Sequence, residues 1–316
     1  MPSTVVIGGF FGDEGKGKII SYLAIHDKPT IVVRGGAGPN AGHTIKDGEK
    51  TYKVRMLPSG FLNKDARVMI GPGVVVNPDV LLNEINDFGV EDRAYLDNNC
   101  GIIEQSHKDV DSKGQLKEKI GSTGSGTGPA NAERAMRTLK LAKEIDNLTQ
   151  YLIDVPLEIN SALDRGENVL IEGTQGTHLS LWHGTYPFVT TKDVTASGIC
   201  ADVGVGPKRV DEVIVVFKSY LTRVGTGPMP GELDPSETSK KGWEEFGTVT
   251  GRLRRAAEFD FDLAKRAVML SSATQISITK LDVRFPNCAG VTSYNELDDD
   301  ARSFIKNIET KLGVTV

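Results

Sequence analysis

Gly12-Asp13-Glu14-Gly15-Lys16-Gly17-Lys18 puts three glycines, two carboxylates and two lysines into seven residues. The segment follows an apolar run, Thr4–Ile7, and leads into a helix-like stretch, Lys16–His26. Glycines let a backbone approach phosphate oxygens, a lysine neutralises their charge, and a helix N-terminus adds N–H donors. The pattern resembles a P-loop but departs from Gly-x4-Gly-Lys-[Ser/Thr], because Gly17 stands where the magnesium-binding hydroxyl belongs. An oxygen ligand must then come from elsewhere, and Asp13 is the obvious supplier. The bland alternative is a strand-to-helix turn with an exposed carboxylate. A second small-residue loop, Gly121-Ser122-Thr123-Gly124-Ser125-Gly126, precedes another helix-like stretch and suits a nucleotide 5′-phosphate. Gly251-Arg252-Leu253-Arg254-Arg255 sets three guanidinium groups in four positions, a pattern that holds carboxylates bidentately unless it is merely an exposed basic turn. His26, His107, His178 and His183 show no metal-ligand spacing.

These groups need a scaffold, and the sequence supplies one. Thr4–Ile7, Thr30–Val33, Arg67–Ile70, Asn168–Ile171, Val213–Phe217 and Ile276–Thr279 are apolar along most of their length instead of alternating. That suits strands buried on both faces of a parallel sheet. Helix-like stretches lie between them at Lys16–His26, Asp79–Phe88, Asn131–Ile145, Leu152–Arg165, Asp260–Leu270 and Asp299–Leu312. The alternation predicts an α/β fold with a large central, mostly parallel sheet flanked by helices and a P-loop-NTPase-like phosphate site. No internal repeat or linker divides the 316 residues, so a single domain, 1–316, with loop insertions is expected. Lys108–Lys119 and Pro228–Trp243 are the expected excursions, the first exposed and the second a mobile loop.

Composition narrows the function classes. Lys and Arg number 37 against 42 Asp and Glu, a net charge of −5, which excludes a broad basic surface for nucleic acid. Glycine is abundant, 35 residues, without a collagen period, and points to tight turns around a ligand. Cys100, Cys200 and Cys288 are widely spaced and odd in number, which argues against a disulfide framework or zinc ribbon. No leader-like N-terminus and no apolar stretch of about 18 residues is present, so a cytoplasmic protein without membrane contact is expected.

The loop Gly12–Lys18, followed by Asn40-Ala41-Gly42-His43-Thr44, resembles the signature pair of the adenylosuccinate synthetase family. Five further segments match in order: Glu172-Gly173-Thr174-Gln175-Gly176, Gly184-Thr185-Tyr186-Pro187, Thr222-Arg223-Val224-Gly225, Thr250-Gly251-Arg252 and Thr279-Lys280-Leu281-Asp282. Gly121–Gly126 also fits, and the compact length looks most like the archaeal branch. The resemblance implies IMP + L-aspartate + GTP → adenylosuccinate + GDP + phosphate, by way of 6-phosphoryl-IMP.

It also implies roles. Asp13 would be the general base at N1 of IMP and a Mg2+ ligand, with Gly42 offering its carbonyl to the same metal. His43 would stabilise charge between the transferred phosphoryl and GDP, and Lys16 would lie against the phosphates. Gly12, Glu14, Gly15, Gly17, Lys18 and Thr44 would complete the GTP phosphate site, and Lys280 and Asp282 the guanine site. A carboxylate at Asp282 accepts from guanine N1 and N2, which adenine does not offer. Asn40, Thr123, Gln175, Thr190 and Arg252 would hold IMP, with Arg137 reaching the IMP phosphate of the partner subunit of a homodimer. Thr250, Arg252 and Arg254 would grip aspartate.

The sequence departs from the family pattern at several places. Phe10-Phe11 replaces Gln-Trp, Leu253 interrupts the arginines, Ala256-Ala257 follows them, and Gly231 precedes Glu232-Leu233 where threonine is usual. The chain ends at Val316, before the segment expected to close over guanine. Phage relatives of this family act on (d)GMP and carry serine at the loop aspartate; retention of Asp13 favours IMP, with dGMP as the alternative acceptor. A GTP-binding regulatory switch fits Gly12–Lys18 and Thr279–Asp282 but has no use for Asn40–Thr44 or Thr250–Arg254.

Overall fold

The computed structural model describes residues 3–114, 116–246, 251 and 253–316. Eight strands form one sheet: β1 (Ser3–Gly8), β2 (Ile31–Arg34), β3 (Arg67–Ile70), β4 (Ala94–Asp97), β5 (Leu152–Ile153), β6 (Val169–Glu172), β7 (Glu212–Lys218) and β8 (Gln275–Thr279). Across the sheet they run β8-β7-β1-β6-β2-β3-β4-β5, and every pairing is parallel. The expected α/β architecture is therefore present, and all six expected strands lie in this sheet.

Continuous apolar runs follow from burial on both faces. Val5, Ile7, Val33, Ile171 and Val215 pack on one side, in the core shared with helices Val155–Asp164, Ala196–Val203, Phe261–Ser271 and Asp299–Leu312. Val6, Val32, Leu170, Ile214 and Val216 point the other way, onto Ile20 and Ala24 of α1 (Lys16–His26). Successive side chains of one strand thus serve two cores.

Four elements differ from expectation. Leu152–Ile153 is an edge strand, pairing with Leu96 and Asp97, and not the start of a helix. The helix begins at Val155, where the Asp154 carboxylate accepts from the Leu157 N–H and Pro156 occupies the first turn. The helix expected at Asn131–Ile145 instead spans Thr127–Met136. Pro129 sits in its first turn, where its missing N–H is harmless, and Arg137 ends it at φ 67°. Lys108–Lys119 is no simple excursion, since helix Gln105–Asp111 buries His107 and Asp111. Within Pro228–Trp243, Pro235–Lys240 is helical and Trp243 is buried, stacked on Tyr220 at 4.4 Å.

The chain leaves β1, β6, β2, β7 and β8 at the same sheet edge. Open parallel sheets bind ligands beyond these carboxyl ends, where neighbouring strands send their connections in different directions.

Candidate active site

A cavity of about 730 Å3 lies beyond that edge. Gly12, Asp13, Gly15, Lys16, Gly17 and Lys18 line it, with Asn40, Gly42, His43, Thr44, Thr123, Gln175, Thr190, Arg254 and Lys280. Segments far apart in sequence therefore meet in one place.

The loop after β1 coils through left-handed backbone at Gly12, Asp13 and Gly15 (φ 84°, 60° and 88°). Glycine takes this conformation without penalty, and Asp is among the few other residues that tolerate it. Glu14 is not an exposed carboxylate. It is 1% exposed, and its Oε1 accepts from the Phe10 and Gly12 N–H groups at 3.0 and 2.8 Å. Its Oε2 pairs with Lys16 Nζ at 2.9 Å, and Lys16 also donates to the Gln175 carbonyl. Glu14 thus shapes the loop from within and holds the lysine, while Asp13 points into the cavity.

Gly176 presses on the same loop. A Cβ there would lie 2.5 Å from both Glu14 Oε1 and the Gly12 nitrogen and 2.6 Å from the Phe10 carbonyl. Gly176→Ala is expected to destabilise the protein by about 1–3 kcal/mol through overpacking, read as a lowered thermal unfolding midpoint. Phe10 packs on Phe217 and Phe259, while Phe11 lies against His178 and under the Arg223 guanidinium at 4.4 Å. The Phe10-Phe11 pair therefore forms core and cavity wall. His178 is structural, its Nε2 2.9 Å from the Leu263 carbonyl.

His43 opens the short hairpin His43–Asp47/Lys50–Val54. Its Nδ1 is 2.6 Å from Glu172 Oε1 and 2.8 Å from Ser59 Oγ. Glu172 closes β6, is fully buried, and accepts from the Ser59 N–H at 2.5 Å and the Ser59 hydroxyl at 2.9 Å. Burial pushes its carboxyl up, but His43 and the buried Arg34 outweigh that and hold it below the usual carboxylate range. Arg34 donates to the Leu57 and Ala41 carbonyls, which ties the Asn40–Thr44 loop to the sheet. Across the cavity, Gln175 Nε2 donates to Asn40 Oδ1 at 3.1 Å and Asn40 Nδ2 to Thr190 Oγ1 at 3.4 Å. Three residues expected to share a ligand are thus already linked.

The Ser/Thr/Gly loop is built on Asp111. Its Oδ1 accepts from Ser122 Oγ at 2.5 Å and its Oδ2 from the Gly126 N–H at 2.8 Å. Thr123, Ser125 and Thr127 form a hydroxyl chain at 2.9 and 3.0 Å. Arg137 is exposed and stands outside the cavity. On the far wall, buried Arg223 donates to Thr185 Oγ1 and to the Phe188 and Pro228 carbonyls. Burial and the neighbouring Arg255 lower its pKa to about 10.

Arg254 bridges two carboxylates. It pairs with Asp13 Oδ2 at 3.0 Å and with Glu245. Glu245 also accepts from Lys218 Nζ at 2.7 Å and from the Tyr220 hydroxyl at 2.6 Å. Burial alone would raise its carboxyl; Lys218, Tyr220 and Arg254 outweigh burial and hold it at about 2. Lys280 lies 3.7 Å from the same carboxylate, whereas Asp282 is exposed and does not line the cavity. Thr250 and Arg252 lie outside the described residues.

The family model for adenylosuccinate synthetase matches residues 5–145 and 138–286. The chain belongs to the adenylosuccinate synthetase family. Adenylosuccinate synthetase of Methanocaldococcus jannaschii is 56% identical over 317 residues, covering 99% of this chain and 92% of that protein. Fully ligated adenylosuccinate synthetase from Plasmodium falciparum superposes with a TM-score of 0.91 at 27% identity, covering 99% and 96% of the two chains. Succinoaminodeoxyadenylate synthetase of cyanophage S-2L, bound to dGMP with dATP as energy donor, gives 0.81 at 27% identity, covering 98% and 90%. As an adenylosuccinate synthetase family member, this chain is a GTP-dependent ligase.

Sequence reasoning assigned no role to Glu172, Asp111, Glu245 or Arg223. A carboxylate closing the apolar strand Val169–Glu172 was the available signal for Glu172. Asp111 sits among polar residues and Glu245 lies between Glu244 and Phe246, and neither setting marks burial.

Proposed function

We propose that this cavity joins IMP to L-aspartate at the expense of GTP, with Asp13 and His43 as its reacting groups. The observation that carries the reading is the convergence of Asp13, Lys16 and His43 with the Thr123 loop and Arg254 on one cavity. In the first step Asp13 accepts the N1 proton of IMP. Oxygen 6 then bonds to the γ-phosphorus while the bond from that phosphorus to GDP breaks, giving 6-phosphoryl-IMP. In the second, the aspartate amine bonds to C6, phosphate leaves with the O6 oxygen, and the amine releases a proton. His43, held from Nδ1 by Glu172, turns its other nitrogen to the charge developing at phosphorus.

Glycine N–H groups and Lys16 receive the GTP phosphates, with Lys16 exchanging Glu14 for phosphate oxygen. The Thr123 hydroxyl chain receives the IMP phosphate, and Asn40, Gln175 and Thr190 orient the nucleotide. Arg254 takes a carboxylate of aspartate, with Thr250 and Arg252 beside it. Lys280 and Asp282 select guanine. Exposed Arg137, away from its own cavity, suits service to a partner subunit in a homodimer. Asp13 and Gly42 both line the cavity, and a carboxylate with a backbone carbonyl is the hard oxygen set that would suit Mg2+ there. Bound there, Mg2+ neutralises charge on the phosphates. Among the described residues no helix is long and apolar enough to cross a membrane, and a cytoplasmic location fits the substrates.

The test supplies purified protein with Mg2+, GTP, L-aspartate and either IMP or dGMP, and identifies the product by mass. Condensation with IMP is the expected result. Product from dGMP alone would transfer the acceptor assignment to the 2-aminopurine nucleotide of the cyanophage enzyme's kind.

A further inference from the structure

Glu245 joins two groups of residues that differ in access to the cavity. Lys218 and Tyr220 do not line it, whereas Arg254 and Lys280 do. Lys218 ends β7, is 2% exposed, and donates to Glu245 Oε2 at 2.7 Å and Thr222 Oγ1 at 2.6 Å. Tyr220 is fully buried, donates to Glu245 Oε1 at 2.6 Å, and is clamped by the parallel face of Trp243. One end of the arrangement is thus anchored in the sheet and its flanking core. From it, Glu245 reaches Arg254, whose second terminal nitrogen extends to Asp13 at 3.0 Å. The buried Nε of Arg254 has no acceptor among the described residues, so its two ion pairs define where the guanidinium stands.

We propose that Glu245 is a positioning residue for the aspartate substrate: anchored on Lys218 and Tyr220, it sets the place and tilt of the Arg254 guanidinium that receives the substrate carboxylate. This rests on the reading of Arg254 as an aspartate-binding residue. A guanidinium grips a carboxylate bidentately only in a narrow geometry, and a long, flexible arginine loses affinity when it must be ordered on binding. A carboxylate already fixed by two buried donors supplies that order beforehand. A substrate carboxylate arriving at Arg254 also competes with Asp13, so the same arginine that takes aspartate releases the proposed base. Glu245 keeps Arg254 in place through that exchange.

Steady-state kinetics on the full chain test this, with aspartate, IMP and GTP varied in turn for wild type, Glu245→Gln, Glu245→Asp and Arg254→Gln. Glu245→Gln is expected to raise KM for aspartate at least tenfold while KM for IMP stays within twofold. Glu245→Asp keeps the charge but is one methylene too short to hold both ends, and is expected to act in the same direction; it decides the matter should Glu245→Gln fail to fold. A merely structural ion-pair hub would lower the folded fraction and the apparent kcat but leave KM, which does not depend on enzyme concentration. An unchanged aspartate KM in the Glu245 variants, with that of Arg254→Gln raised, would overturn the proposal. Equal rises in all three KM values would overturn it too. An unchanged aspartate KM in Arg254→Gln would instead remove the reading of Arg254 on which it stands.

Discussion

Asp13→Ala is expected to lower turnover by about 10^2–10^4-fold or more while leaving the thermal unfolding midpoint close to that of the wild type. The two halves of this expectation have separate origins. Loss of turnover follows from the proposed role, because without a carboxylate at this point nothing on the loop takes the N1 proton. The neighbouring Glu14 cannot substitute, since both its oxygens are engaged with the loop backbone and Lys16. Preservation of the fold follows from exposure: the Asp13 side chain is 31% exposed, and its ion pair among the described residues, with Arg254, leaves that arginine still paired with Glu245. Partly exposed pairs contribute little to stability. Initial rates of product formation, with thermal melts on the same preparation, check both halves. Turnover within tenfold of wild type would remove Asp13 as the base.

Glu172→Ala carries the larger structural effect. Glu172 and Arg34 are both fully buried, and burial lowers the Arg34 pKa while Glu172 and Glu84 pull it back. Arg34 Nε already lacks a hydrogen-bond partner among the described residues. Removing Glu172 leaves a buried guanidinium short of compensating charge, and deprives the Ser59 N–H and hydroxyl of their acceptor. Leaving the buried Ser59 donors without their acceptor destabilises by about 1–3 kcal/mol, and the uncompensated Arg34 charge acts in the same direction. The same change frees the His43 ring, so the folded fraction is expected to turn over more slowly as well. Glu172→Gln keeps one acceptor oxygen for the Ser59 N–H and is expected to destabilise less. Denaturant unfolding of both variants, with rates normalised to folded protein, reads the two effects; a Glu172→Ala midpoint equal to wild type would show that Arg34 is balanced by Glu84 alone.

The Glu172 network shows where legibility ended. The strand Val169–Glu172 was readable because both faces of a central parallel strand are apolar, and that pattern is local. The loop at Gly12–Lys18 was readable for a similar reason: glycines, lysine and acid follow one another within a single turn of chain. The last two strands at one end of the sheet, Ala94–Asp97 and the edge strand Leu152–Ile153, were not readable, being short, with Leu152 and Ile153 only half-buried. Such strands are defined by the neighbour they bond to more than by their own composition. The boundary of helix Thr127–Met136 was missed because Gly128-Pro129 reads as a break, although proline is tolerated in a first turn.

Determined by sequence alone were the kind of fold, the glycine-rich, charged make-up of the first loop, and the family to which the ordered motifs belong. These depend on residue types at short range, which the chain displays directly. Only the tertiary structure decided what each charge faces. It turned Glu14 inward and Asp13 outward from adjacent positions, placed Glu172 behind His43 across 129 residues of chain, and set Glu245 between the sheet and Arg254. A charge's chemistry comes from its burial and its partners, and both are made by segments that meet only when the sheet has formed.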